Sequence, residues 1–232
     1  MIIKHLFFAL LLVALPYSAH ASALSDVPAS PKTNVEYVIY LHGAGVERLG
    51  TMKADEDYHG IIKALEERGF TVISEVRFSG VPSIGGVTRG GVRPIEYGKK
   101  VAGQVKSLIE KGVPPENITV AGFSKGGMIA LVTSAAGENA KVHYVVMAGC
   151  LRPGKEFYNN YLDNVAPKMK GRILSMYDAA DPDFGSCQEF FASAGDKVSG
   201  KEIKFETKQG HALFKKPAEL WMKPFAEWAR SK

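Results

Sequence analysis

Three observations predict an α/β fold built on a mostly parallel, doubly wound sheet of about six strands with helices on both faces. Short β-rich apolar runs alternate with segments whose apolar residues recur at helical spacing. Several of the runs are almost continuously apolar, as strands buried on both faces are. The chain has 232 residues, 46% hydrophobic and 23% charged, which suits one ordinary domain once an export segment is removed. The same composition excludes a disordered polymer, a collagen-like repeat and a disulfide-stapled miniprotein.

The N-terminus reads as a cleavable secretory signal over residues 1–21. Lys4 gives the positive start, Leu6 to Leu15 form an uncharged apolar run too short for a bilayer, and Ala19 and Ala21 stand at the spacing a signal peptidase reads. Cleavage after Ala23 is the near alternative. An exposed lead-in, residues 22–34, carries Pro28 and Pro31 and precedes one domain over residues 35–232.

The first strand is Val35 to Leu41, ending at His42-Gly43-Ala44-Gly45. A helix follows over Asp55 to Arg68, with Ile61, Ile62 and Leu65 on one face and Gly69 as its stop. The alternation continues with a strand at Phe70 to Val76, a helix near Glu96 to Lys111, a strand at Ile118 to Gly122 and a helix from Lys125 to Ala136. After these come a strand at Val142 to Ala148, a helix near Glu156 to Lys168, strands at Arg172 to Tyr177 and Glu202 to Thr207, and a last helix near Ala218 to Arg230. Trp221, Phe225 and Trp228 mark the core face of that helix. Between the second strand and the second helix, Ser79 to Pro94 is a Gly/Pro-rich loop of the length that belongs to binding sites.

Every later apolar run is broken by Gly, Pro or charge, so the mature chain is expected to be soluble, exported to the periplasm or beyond, and without a stable membrane anchor. Its basic surplus lies in the C-terminal stretch, spread among Glu and apolar positions without interleaved aromatics, which reads as a solvated face and not a nucleic-acid surface. Cys150 and Cys187, the only cysteines, are expected to pair in an oxidising compartment.

Gly122-Phe123-Ser124-Lys125-Gly126-Gly127 lies between a strand and a helix, the context that gives G-x-S-x-G its meaning. Ser124 is thereby marked as a nucleophile displayed on a strained turn at the carboxyl edge of the sheet. A serine hydroxyl needs a base, and only His143 and His211 follow it in the chain. His143 opens a strand and so belongs to the opposite edge; His211, in the loop after a late strand, shares the edge with Ser124. The acid comes from the loop after Arg172 to Tyr177, which offers Asp178, Asp181 and Asp183. Asp181, extended by Pro182, has the reach to orient an imidazole, and Asp178 is the alternative. Backbone N–H groups complete the chemistry as an oxyanion hole: that of Lys125 next to the nucleophile, and that of Ala44 or Gly45 after the first strand. His42 is read as an anchor of that loop and the Lys125 side chain as pointing to solvent. Arg77, Arg89 and Arg93, around the Gly-rich loop, are candidate contacts to an anionic substrate group.

At these positions the sequence resembles the α/β-hydrolase superfamily, specifically its small, lidless, esterase-like members. The resemblance is carried by Leu41-His42-Gly43-Ala44-Gly45, Gly122-Phe123-Ser124-Lys125-Gly126-Gly127, Asp178-Ala179-Ala180-Asp181-Pro182 and Gly210-His211, and it spans Val35 to Ala229. It implies Ser124 as nucleophile, Asp181 as acid, His211 as base, Ala44 and Lys125 as oxyanion donors, and acyl-enzyme hydrolysis of a small-molecule substrate without a metal or organic cofactor. It implies no particular acyl group. Two departures are the missing strands before the first one and the short stretch between Cys150 and Lys170, too small for a large cap. In this layout Cys150 and Cys187 follow neighbouring strands, so their bridge is expected to fix the Asp181 loop.

The leading expectation is a secreted serine hydrolase of carboxylic esters or thioesters. A peptidase or amidase would use the same triad, and a noncatalytic envelope-binding protein on a retired hydrolase scaffold is the reading from another class. Nucleotide binding is disfavoured, since neither a P-loop nor a G-x-G-x-x-G sequence is present.

Overall fold

In β1 (Tyr37–Leu41), β3 (Ile118–Phe123) and β4 (His143–Met147) every residue is buried, which requires cover on both faces of the sheet. The computed structural model describes residues 23–77 and 93–231; the expected signal segment and Arg89 lie outside them. With β2 (Thr71–Ile73), β5 (Gly171–Asp178) and β6 (Val198–Phe205), these strands form a six-stranded, all-parallel sheet in the order β2-β1-β3-β4-β5-β6.

The helices are α1 (Ala44–Leu49), α2 (Tyr58–Glu67), α3 (Pro94–Glu110), α4 (Lys125–Ala136), α5 (Tyr158–Asn164), α6 (Gln188–Ala194) and α7 (Glu219–Arg230). Asp57 caps α2 by accepting from Gly60 N at 3.0 Å, and Pro94 opens α3, where a missing N–H costs nothing. On one side α3 and α4 pack closely, Thr133 Oγ1 donating to Gly98 O at 3.2 Å. Elsewhere α2 and α7 are joined by an Arg68–Glu219 ion pair, and α7 buries Trp221 and Phe225 against the core, with Trp228 half-buried beside them.

The structure departs from the expected elements in several places, β2 among them, which ends at Ile73 and not at Val76. The loop after β1 contains α1, and α6 appears where no element was expected. The helix expected near Glu156 to Lys168 is split into α5 and a 3-10 turn at Ala166–Lys168, because Pro167 has no N–H to continue an α-helix. β6 begins four residues earlier than Glu202, pairing with the whole of β5 from Gly171↔Val198 to Asp178↔Phe205. The lead-in is exposed over most of its length but not detached: Leu24 N donates to Val72 O at 2.9 Å and Ser74 N to Leu24 O at 2.7 Å, along the outer side of β2. Among the described residues no strand precedes β1, and no helix is long and apolar enough to cross a membrane.

Candidate functional site

Ser124 stands between β3 and α4 with φ 55° and ψ −121°, a region that a non-glycine residue occupies only under constraint. The constraint is visible at the flanking glycines. A Cβ on Gly126 would lie 1.8 Å from Leu41 O, and one on Gly122 2.1 Å from Gly126 O, so strand and helix meet this closely only with glycine on both sides. Ser124 N donates to Met147 O at 2.9 Å, tying the turn to the end of β4.

Asp181 and His211 come together as the sequence predicts. His211 Nδ1 lies 2.6 Å from Asp181 Oδ2, while Asp181 Oδ1 accepts from the N–H groups of Asp183 and Phe184 at 3.0 and 3.1 Å. Burial raises the Asp181 pKa, but the His211 bond and these backbone donors outweigh it and hold the carboxyl below its ordinary value. The imidazole lies between Phe123, at 4.7 Å between ring centroids, and Phe184, stacked at 5.1 Å. Phe123 immediately precedes Ser124, so the ring is seated beside the serine turn with Nδ1 engaged and Nε2 left for a proton.

The other two aspartates are occupied elsewhere. Asp178 is fully buried and accepts from Ala180 N at 2.9 Å, Thr207 N at 2.8 Å and Thr207 Oγ1 at 2.5 Å, which locks the end of β5 to the chain leaving β6. Asp183 pairs with Lys155 at 2.7 Å. His143, at the opposite edge of the sheet, is spent on structure: it is buried, with Nδ1 3.0 Å from Ala229 O and Nε2 3.1 Å from Arg172.

The loop after β1 is held by a buried polar network. Glu56 accepts from Gly43 N at 2.8 Å and from Tyr40 OH at 2.9 Å, and burial pushes its carboxyl above the usual range. Gly43 N–H is so engaged; the N–H groups of Ala44 and Lys125 open α1 and α4, where a helix has no carbonyl of its own to receive them. His42 is fully buried; Arg77 N–H donates to its Nε2 at 2.9 Å, so Nδ1 carries the proton and donates to Gly43 O at 2.8 Å. Burial, then the Arg77 charge, push the His42 pKa down to about 3. It is neutral with both nitrogens used, an anchor as expected.

The expectation for Arg77 needs correction. Arg77 is 1% exposed; its guanidinium pairs with Glu47 at 3.3 Å and donates to His42 O, so it holds the loop from within and does not reach a substrate. Arg93 is exposed and pairs with Glu96 on its own helix at 3.3 Å. The Lys125 side chain does not point to solvent either: Nζ lies 2.8 Å from Glu47 Oε1.

Cys150 and Cys187 form a disulfide, with Cα atoms 5.4 Å apart. Around it the Asp181 loop is stitched to the segment after β4: Gly185 N donates to Cys150 O, Arg152 N to Asp183 O, and Arg152 Nε to Asp181 O at 2.8 Å. Removing the bridge as Cys150→Ser/Cys187→Ser is expected to cost about 2–4 kcal/mol of stability. Thermal melting should show a fall of roughly 5–15 °C; an unchanged melting temperature would refute the role.

Glu47, Glu56, Arg152 and Phe184 were not singled out from the sequence, since nothing local distinguishes a buried Glu from a solvated one. Among the described residues no group of three His, Cys, Asp or Glu side chains could hold a metal ion. A groove of about 590 Å³ between α3 and α4, reaching Val142 and Tyr144, opens near the start of β4, away from the serine turn.

A sequence model of the phospholipase/carboxylesterase family matches residues 97–182, a span that takes in Ser124 and Asp181 and stops short of His211. No curated protein sequence matches the chain. Among solved structures, a Klebsiella pneumoniae subsp. pneumoniae protein assigned as a dienelactone hydrolase is similar at 15% identity and a TM-score of 0.59, covering 88% of this chain and 90% of its own. Acetyl xylan esterase 1 from Thermoanaerobacterium sp. is similar at 17% identity and a TM-score of 0.52, covering 87% and 76%. An S-formylglutathione hydrolase from Agrobacterium tumefaciens is similar at 13% identity and a TM-score of 0.56, covering 84% and 83%. The sheet is thus the minimal α/β-hydrolase sheet.

Proposed function

We propose that this chain is an esterase-like member of the α/β-hydrolase superfamily, an exported serine hydrolase that cleaves carboxylic esters or thioesters through an acyl-enzyme. The observation that carries the reading is the 2.6 Å bond between Asp181 and His211 with the imidazole seated against Phe123, the neighbour of a serine on a strained turn. Ser124 Oγ attacks the carbonyl as His211 Nε2 takes its proton. Asp181 holds the ring and stabilises the imidazolium, while the backbone N–H groups of Ala44 and Lys125 face the developing oxyanion. His211 returns the proton to the leaving alkoxide or thiolate, and a water activated by the same base releases the acid.

Two features bear on substrate and compartment. Between Cys150 and Lys170 the chain forms α5 and a 3-10 turn, too little for a large cap in that segment, which favours short or extended soluble acyl compounds over long chains. The disulfide, together with the N-terminal apolar run, supports a periplasmic or secreted location.

The test is labelling of the oxidised protein with a fluorophosphonate, beside Ser124→Ala and a heat-denatured sample. Labelling of the folded parent that disappears in both controls is expected. Absence of labelling in the parent, or its persistence in Ser124→Ala, would refute the assignment.

A further inference from the structure

We propose that Glu47 and Lys125 form a clamp that sets the spacing between the two oxyanion-donor segments, making both side chains positioning residues; the inference rests on the serine-hydrolase reading. Glu47 sits in α1, three residues beyond Ala44, and Lys125 carries the second donor on its own backbone. The Glu47 carboxylate is 1% exposed and takes Lys125 Nζ on Oε1 at 2.8 Å and Arg77 Nε on Oε2 at 3.3 Å. Arg77 in turn donates through its side chain to His42 O and through its backbone to His42 Nε2. One buried carboxylate therefore ties three segments together: the loop after β1, the chain leaving β2 and the serine turn.

Net stability does not explain this arrangement, because a buried ion pair rarely stabilises more than well-packed apolar residues would. Distance control does. A helix of six residues has little stability of its own, Glu56 secures the loop at Gly43, before the helix begins, and Leu49 at the far end of α1 is 55% exposed. The chain leading into α1 already packs its backbone on Gly126 and Val46 anchors the helix in the core; the Glu47–Lys125 pair adds a side-chain link from α1 itself to the residue that carries the second donor. A displacement of about 1 Å between groups that meet the same oxyanion is sufficient to cost about 100-fold in rate.

The experiment compares the parent with Lys125→Met, Lys125→Arg, Glu47→Gln and the double variant Glu47→Gln/Lys125→Met. It reads kcat and KM on a short-chain ester and the rate of fluorophosphonate labelling, with thermal melting as the check on folding. Lys125→Met is expected to lower kcat about 30-fold and labelling in parallel, with KM within about twofold. Lys125→Arg, which keeps the charge and the reach, should return to within about threefold of the parent. The double variant should lose no more than Glu47→Gln alone, since that change already removes the charge Lys125 pairs with, together with the partner of Arg77. If Glu47→Gln does not fold, the Met and Arg variants carry the test. A Lys125→Met protein with parental kcat, a loss that falls entirely on KM, or equal losses in Met and Arg would overturn the clamp while leaving the hydrolase reading intact. A parent that is never labelled would overturn both.

Discussion

His211→Ala is expected to lower kcat on a short-chain ester by about 10⁶-fold, and the double variant with Ser124→Ala to be no worse than either single change. The size follows from how little can substitute for this ring. His42 is buried, neutral and bonded through both nitrogens, and His143 lies at the other edge of the sheet. The fold should survive, because His211 is 30% exposed in its side chain and sits on a short 3-10 turn, Gly210–Phe214, whose buried anchors are Leu213 and Phe214. Steady-state kinetics on protein checked by circular dichroism decide the matter. A loss below about 100-fold would mean that another group takes the serine proton, and strictly multiplicative losses would mean that the two residues do not act as a unit.

Much of the fold was legible because the informative signals are local. β1, β3 and β4 are dominated by apolar residues, and the glycines around Ser124 are demanded by the backbone contacts of the strand-turn-helix. His211 followed from counting histidines after the serine and asking which edge each occupies. Where the reading shifted, tertiary context was responsible. β6 is an edge strand whose residues from Val198 to Gly200 have no apolar pattern, so its start is set by pairing with β5 and cannot be seen in its own side chains. α1 contains Gly45, a poor helix former, and α6 is only seven residues long.

The charged network behind the loop after β1 was not legible at all. Arg77, Glu47, Glu56 and Lys125 look like ordinary surface residues in sequence, and long cationic side chains usually are. Their burial depends on three segments far apart in the chain, that of Glu47 and Glu56, that of Arg77 and that of Lys125, meeting behind one loop. That is why Arg77 was expected to face a substrate and Lys125 to face solvent, and why both expectations failed in the same direction.

The choice between Asp181 and Asp178 predicts a clean division of effects. Asp181→Asn should lower kcat by about 10⁴-fold with little change in melting temperature. The Asn oxygen can still accept from Asp183 N and Phe184 N, but its NH₂ group then faces His211 Nδ1, which must become an acceptor. The ring proton moves to Nε2, where it blocks removal of the serine proton. Asp178→Asn should do the reverse. Asp178 accepts from Ala180 N and, at its other oxygen, from Thr207 N and Oγ1, so an NH₂ group there opposes donors and costs about 1–3 kcal/mol, while kcat stays within about threefold.

Acid adds a second signature of Asp178. Burial raises its pKa, but the Thr207 side chain and the backbone N–H groups bring it below the ordinary value of 3.8. A depressed folded-state pKa contributes stability above the unfolded value that is lost as pH falls through the folded one. The parent should therefore lose urea stability below about pH 4, and Asp178→Asn should lose less over the same interval, because its contribution there is already absent. The opposite pattern, an inactive Asp178→Asn and an active Asp181→Asn, would move the acid to the end of β5 and leave the Asp181–His211 bond without a catalytic part.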